Sequence, residues 1–205
     1  MGVYEERILP WLIDLAMRNA RLAAYRSRVV PAASGRVLEV GIGSGLNLPF
    51  YGTMVSEIIG IEPSAKLLKM TRGAAGRAST SLKLIAGTAE AIPIDDQTIE
   101  TVVTTWTMCS IPSIELALQE MRRVLKPGGR LLFVEHGRAP EPDVRWWQDY
   151  LTPVWKRFSG GCHLNRPIPE LIQHAGYRIE HLDTGYMRPG PKPMTFMYEG
   201  SASPQ

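Results

Sequence analysis

The sequence predicts an α/β protein built on one mostly parallel sheet, and three observations point there. After Gly35, short runs rich in Val, Ile and Leu alternate with helical stretches, the pattern of strands joined by crossover helices. The first run ends in Gly41-Ile42-Gly43-Ser44-Gly45, a glycine-rich turn of the kind that lets backbone approach a ligand closely. The 205 residues, 44% hydrophobic and 21% charged, suffice for one full core without a disulfide or metal staple.

Residues 1–35 read as an N-terminal helical cap and residues 36–205 as the main domain. The apolar run from Ile8 to Met17 is interrupted by Pro10 and Asp14 and falls far short of the ~20 residues that span a bilayer. It is expected to cover the core or the active site, and with Arg18, Arg21, Arg26 and Arg28 it also suits a peripheral membrane contact. Strands are expected near 36–41, 55–61, 82–86, 100–106 and 130–135, with helices near 63–72 and 113–125. Ser113 stands as the N-cap of the second helix, which ends at Lys126-Pro127-Gly128-Gly129, a tight reversal into the next strand. From 137 to 166 the alternation stops, and this insertion is expected to be an irregular lid over the acceptor. It holds Trp146, Trp147, Tyr150, Trp155 and Phe158 in thirteen positions, where an aromatic content of 8% predicts about one. A last helix from Pro167 to His174 and two β-like stretches, 177–183 and 193–199, complete the sheet as a hairpin.

The net charge of +3 lies at the N-terminus: residues 1–36 carry six arginines against three acids, and the rest balances at 17 against 17. A neutral body lacks the basic patch of a nucleic-acid binder, so small or lipid-like partners are expected. The opening Met-Gly-Val-Tyr-Glu-Glu fits neither an export signal nor an acylation signal. Cys109 and Cys162 have no metal or disulfide spacing, so they read as reduced, packed thiols of a cytoplasmic protein, and no metal site is expected.

The glycine turn is G-x-G-x-G, with Leu46 where a dinucleotide fingerprint wants its third glycine. Seventeen residues after Gly45 stands Glu62, placed to accept hydrogen bonds from both hydroxyls of a ribose. Two further strings follow in order, Ala89-Glu90-Ala91-Ile92-Pro93 and Leu125-Lys126-Pro127-Gly128-Gly129. With Leu38-Glu39-Val40-Gly41 and Glu62, they make residues 36–136 resemble the class I S-adenosylmethionine-dependent methyltransferases. The resemblance implies a Rossmann-like, mostly parallel seven-stranded sheet with helices on both faces, and S-adenosylmethionine, converted to S-adenosylhomocysteine, as cofactor. It places the methionine part of the cofactor at Glu39, Gly41, Ile42, Gly43, Gly45 and Asn47, and the ribose at Glu62 with Pro63 and Ser64. The adenine falls at Thr88, Ala89 and Glu90, with Thr105 and Trp106 after the fourth strand. Thr88 departs from the family pattern, standing where many relatives carry an aspartate.

For the acceptor, the stretch after the fourth strand, Thr104 to Ser110, has neither an N-P-P-Y run nor a Pro-Cys nucleophile, which argues against nucleic-acid bases. Cys109-Ser110-Ile111, Glu135-His136, Trp155-Lys156, Gly161-Cys162 and Arg166 resemble the alkyl thiol S-methyltransferases of the methyltransferase-like seven group. The string from Gly160 to Pro167 is also similar to that of many bacterial methyltransferases. A thiol or sulfide acceptor is chemically apt, because a thiol of ordinary pKa near 8.5 is already a few per cent ionised at neutral pH. His136, after the fifth strand, is the expected group to orient the acceptor or take its proton. Cys109, Trp146, Trp147, Trp155, His163 and Arg166 are expected around the acceptor pocket, while His174 and His181 fall on the surface. Phospholipid N-methylation, quinone C-methylation and non-catalytic cofactor binding remain as alternatives, and the oligomeric state stays open.

Overall fold

The computed structural model describes residues 8–78 and 80–205; the opening acidic stretch and Arg7 lie outside the described residues. Two helices, α1 (Leu9–Met17) and α2 (Ala20–Val29), precede strand β1 (Gly35–Val40). Then come β2 (Val55–Glu62), α3 (Ala65–Gly73), β3 (Ser81–Ala86), β4 (Ile99–Thr105), α4 (Ile114–Val124) and β5 (Leu125–His136). The chain closes with α5 (Pro142–Phe158), α6 (Ile168–His174), β6 (Tyr177–Tyr186) and β7 (Phe196–Pro204). The seven strands lie in the order β3-β2-β1-β4-β5-β7-β6, with β7 antiparallel to both neighbours and the other pairs parallel. Strand order reverses between β1 and β4, the place where open parallel sheets take ligands.

Both faces of the sheet are covered, which is why its central strands read as unbroken apolar runs rather than alternating ones. Leu38, Ile59, Val102, Leu131 and Phe133 point to the face covered by α4 and α6. Val37, Ile58, Val103, Leu132 and Val134 point to the opposite face. Two sequence expectations change at the ends of α4. Ser113 precedes the helix, but its hydroxyl makes no cap; its amide donates to Glu90 instead, at 3.3 Å. The reversal at 126–129 is taken up into a longer β5, because Leu125 already pairs with Ile99 across a shift in register.

The expected irregular lid is instead a 17-residue helix, α5. Its inner face is Val144, Gln148 and Thr152, one residue per turn, and Gln148 is fully buried. The Gln148 amide accepts from the Ala139 N–H at 2.9 Å and donates to the carbonyls of Gly137 at 2.9 Å and Pro193 at 3.2 Å. One side chain thereby fixes α5 to the segment leaving β5 and to the turn before β7. Gln148→Leu keeps the volume and strands these backbone groups without partners, so it should lower unfolding stability by about 2–4 kcal/mol. Urea denaturation checks this, and a change below about 0.5 kcal/mol would show that α5 is held by other contacts.

Candidate active site

Three carboxylates are buried at the carboxyl ends of parallel strands, and each holds a loop. Glu39, at the end of β1 and 2% exposed, accepts from the Tyr51 hydroxyl at 2.7 Å and the Asn47 amide at 2.9 Å. Asn47 also donates to Thr105 at 3.0 Å, tying the loop after β1 to the end of β4. Glu62, the last residue of β2 and 7% exposed, accepts from the amides of Ser64 at 2.9 Å and Gly43 at 3.2 Å. Glu135, in β5 and fully buried, accepts from the amides of Thr107 at 3.0 Å and Met108 at 3.1 Å.

Burial dominates the electrostatics of all three. It pushes Glu39 up to about 7, against the pull of Tyr51, Asn47 and Arg26. It pushes Glu135 up to about 7, against the loop amides. Glu62 is raised in the same direction, with the Ser64 and Gly43 amides opposing. Arg26 of α2 completes the first cluster: its Nε donates to Asn47 at 3.0 Å, Nη1 to the Met17 carbonyl at 3.1 Å, and the guanidinium lies 4.8 Å from the Trp106 ring centre. Burial lowers its pKa to about 10 even with Glu39 nearby.

These loops wall a cavity of about 850 Å3. Glu39, Gly41, Ile42, Gly43 and Asn47 line it from the turn after β1, and Glu62, Pro63 and Ser64 from the end of β2. Thr88, Ala89, Glu90, Thr105 and Trp106 line it from the loops after β3 and β4. Gly41 and Gly43 have φ of +71° and +58°, and a side chain at Gly41 would collide with Thr107. At Gly43 the nearest neighbour of an added Cβ is a carbonyl oxygen 3.9 Å away, so that side of the turn is open. Gly45 is a correction: it does not line the cavity but packs beneath the turn, where a Cβ would stand 2.9 Å from Leu48. Leu9, Ile13 and Met17 of α1 and Trp155 and Phe158 of α5 cover the cavity from the other side.

At the ends of β4 and β5 the acceptor expectations divide. His136, Cys109 and Trp155 face the cavity. Trp146 and Trp147 do not: at 58% and 48% exposed they lie on the outer face of α5 and pack with Tyr150 at the surface. His163 is drawn away by its contact with the Cys109 carbonyl at 3.2 Å. Arg166 is structural, with both Nη atoms donating to carbonyls of the 108–111 loop, those of Met108 and Ile111. His174 and His181 are exposed as expected.

Cys109 lies at the cavity as expected, whereas Cys162, expected only to pack, faces it too, with the sulfurs 3.3 Å apart and Cys162 Sγ 3.6 Å from His136 Nδ1. Sharing a proton with Cys109 and lying beside His136 favours ionisation of Cys162, which in turn holds the Cys109 proton on. Three ligand-type side chains thus meet where no metal cluster was expected. Sequence reasoning gave no loop-holding role to Glu135, Tyr51 or Arg26. Glu135 was within reach of the rule that found Glu62, an acid at the end of a strand; Tyr51 and Arg26 carry no such local mark.

The raised carboxyls fix the sign of a pH effect. The folded chain keeps protons on Glu39 and Glu135 that the unfolded chain releases near pH 4.5, so their stabilisation is complete below about 4.5 and is lost as the pH rises through 7. The urea midpoint should therefore fall between about pH 5 and about pH 8. Glu39→Gln, which can still bond Asn47 and Tyr51, should flatten part of that slope; an unchanged slope would contradict the assignment.

Comparison with known proteins follows this geometry. Residues 38–133 match the family described as "Methyltransferase domain". The thiol S-methyltransferase TMT1B of Rattus norvegicus is 33% identical over 151 residues, 72% of this chain and 62% of its own length. The phosphatidylethanolamine N-methyltransferase of Cereibacter sphaeroides is 35% identical over 109 residues, 52% of this chain and 53% of its own. The chain thus spans less than two thirds of these relatives. In fold, it is similar to a methyltransferase of Thermotoga maritima, a possible histamine N-methyltransferase, with TM-score 0.70 and 21% identity over 98% of this chain and all of that one. With its sheet order, its glycine turn and the match over residues 38–133, the chain belongs to the class I S-adenosylmethionine-dependent methyltransferases, whose cofactor is S-adenosylmethionine.

Proposed function

We propose that this chain methylates a small apolar acceptor, a thiol or hydrogen sulfide. One observation carries the reading: the His136 imidazole, at the end of β5, faces the cavity beside two thiols and keeps its buried Nε2 without a partner among the described residues. A thiol needs little help to ionise, so one imidazole to orient it and ease loss of its proton is enough machinery.

The residues present fit the cofactor. The cavity is of the size that takes such ligands, the turn at Gly43 is open toward it, and each Glu62 oxygen accepts from one amide among the described residues, Gly43 or Ser64, leaving acceptor capacity for ribose hydroxyls. Glu39, Gly41, Gly43 and Asn47 would hold its methionine part, Glu62 its ribose, and Thr88 to Glu90 its adenine. When bound, it supplies a methyl group made electrophilic by the adjoining sulfonium. The chain's own task is to hold the acceptor in line and keep water out, and the apolar side chains of α1 and α5 serve that exclusion.

A lipid or quinone acceptor is the second reading, and one observation favours it. Leu12 and Phe158 both line the cavity and stand exposed, so they mark its mouth, and the helices that carry them also expose Trp11 and Leu15 on α1 and Trp146, Trp147 and Val154 on α5. Exposed apolar side chains of this kind suit contact with a membrane surface. No helix of the described residues is long and apolar enough to cross a membrane.

Cofactor with a labelled methyl group, incubated with the protein and three acceptor pools, decides between them: sulfide with small alkyl thiols, a phospholipid extract, and a quinone extract. The thiol reading predicts label in small thioethers; label in a lipid pool alone would overturn it. His136→Ala should lower kcat at least about tenfold while leaving cofactor affinity unchanged. Equal loss of both would make His136 a structural residue.

A further inference from the structure

Cys109, His136 and Cys162 come from three separate parts of the chain, the loop after β4, the end of β5 and the segment after α5, yet their ligand atoms all lie within 4.8 Å of one another. Tetrahedral coordination by thiolate at about 2.3 Å and imidazole at about 2.05 Å sets sulfur–sulfur and sulfur–nitrogen separations near 3.8 and 3.6 Å. The structure has 3.3 Å between the sulfurs and 3.6 Å between Cys162 Sγ and His136 Nδ1. Two edges of that polyhedron are thus close to their coordinated lengths, the third, Cys109 Sγ to His136 Nδ1, lies within 4.8 Å, and modest side-chain adjustment brings the three donors to three of its corners. The fourth corner is free to open on the cavity, which all three residues line. Charges of both signs lie around the cluster: Glu135 is within electrostatic reach of both thiols, with its Oε2 buried and without a partner among the described residues, and Arg166, bonded to the Met108 and Ile111 carbonyls, is within reach of the same thiols.

We propose that Cys109, His136 Nδ1 and Cys162 form a binding site for one thiophilic divalent ion of the zinc type, with its fourth position open to the cavity. Two thiolates and an imidazole suit such an ion and exclude calcium or magnesium, which take oxygen ligands. Three protein ligands with one open position is the arrangement of a reactive zinc centre rather than of a closed structural one. The open position takes the sulfur of the acceptor, a step that rests on the thiol reading above. Each thiol that coordinates, the two cysteines and the acceptor, gives its proton to solvent, and the ion offsets the thiolate charge inside a mostly apolar cavity. His136 then acts on the acceptor through the ion, and its Nε2 stays free.

Cobalt(II) reports the site without recourse to activity. The purified protein, its thiols kept reduced by a phosphine, is titrated with Co2+ and the absorbance followed, then back-titrated with Zn2+. One equivalent of Co2+ should give thiolate-to-metal charge-transfer bands and tetrahedral ligand-field bands, and Zn2+ should remove both. Cys109→Ser, Cys162→Ser and His136→Gln should each raise the Co2+ dissociation constant at least about tenfold, with S-adenosylhomocysteine binding unchanged as the check on folding. Ethanethiol added to the cobalt protein should shift the charge-transfer bands. Absence of thiolate bands in reduced protein that still binds S-adenosylhomocysteine would overturn the metal site, as would bands unaffected by Cys162→Ser. Bands that ethanethiol leaves unmoved would overturn coordination of the acceptor. A cobalt site that forms while no label reaches thiols would sink the thiol acceptor and leave the ion site standing.

Discussion

Carboxylates buried at the ends of parallel strands set the position of three of the loops around the cavity, those after β1, β2 and β4. A charged or protonated carboxyl in that place is costly unless its oxygens are bonded, and the nearest donors are the amides and side chains of the loop that follows or neighbours the strand. Glu39 draws in Asn47 and Tyr51, Glu62 the amides of Gly43 and Ser64, and Glu135 the amides of Thr107 and Met108. The loops after β1, β2 and β4 thereby stand in place through the chain's own hydrogen bonds. A site ordered in advance spends less of its binding free energy on ordering.

The same clusters connect the two sides of the cavity. Arg26 reaches from α2 to Asn47 and to the carbonyl that ends α1, and its guanidinium covers Trp106, whose own φ of +52° turns the chain away from β4. The helices that cover the cavity are thus bonded to the turn that lines its floor. On the acceptor side Glu135 holds the loop that carries Cys109, and Arg166 grips the same loop through the carbonyls of Met108 and Ile111. Arginine, carboxylate and loop together hold the two thiols beside His136.

The parallel strands were legible because burial on both faces leaves runs such as Ile58-Ile59 and Val102-Val103, which no amphipathic element would show. The glycine turn and Glu62 were legible because their chemistry is local. Helix α5 was not: two of the three residues on its buried face, Gln148 and Thr152, are polar, and its aromatics divide between the surface, with Trp146, Trp147 and Tyr150, and the cavity, with Trp155 and Phe158, so they form no single inward stripe. Trp146 and Trp147 therefore read as pocket walls and stand at the surface. Arg166 announced a charge, but its partners are carbonyls more than fifty residues away, and Cys109 and Cys162 are as far apart in sequence. Proximity of that range leaves no spacing to read.

The central claim is that a strand-end carboxylate, already bonded to the glycine turn, is also what holds the cofactor's ribose. Calorimetric titration of Glu62→Ala with S-adenosylhomocysteine tests it most directly, with thermal unfolding as the check that the chain remains folded. Loss of charge-assisted hydrogen bonds should weaken binding by about 1–3 kcal/mol, roughly 5-fold to 150-fold in Kd. A folded variant that binds as tightly as the parent chain would contradict the account.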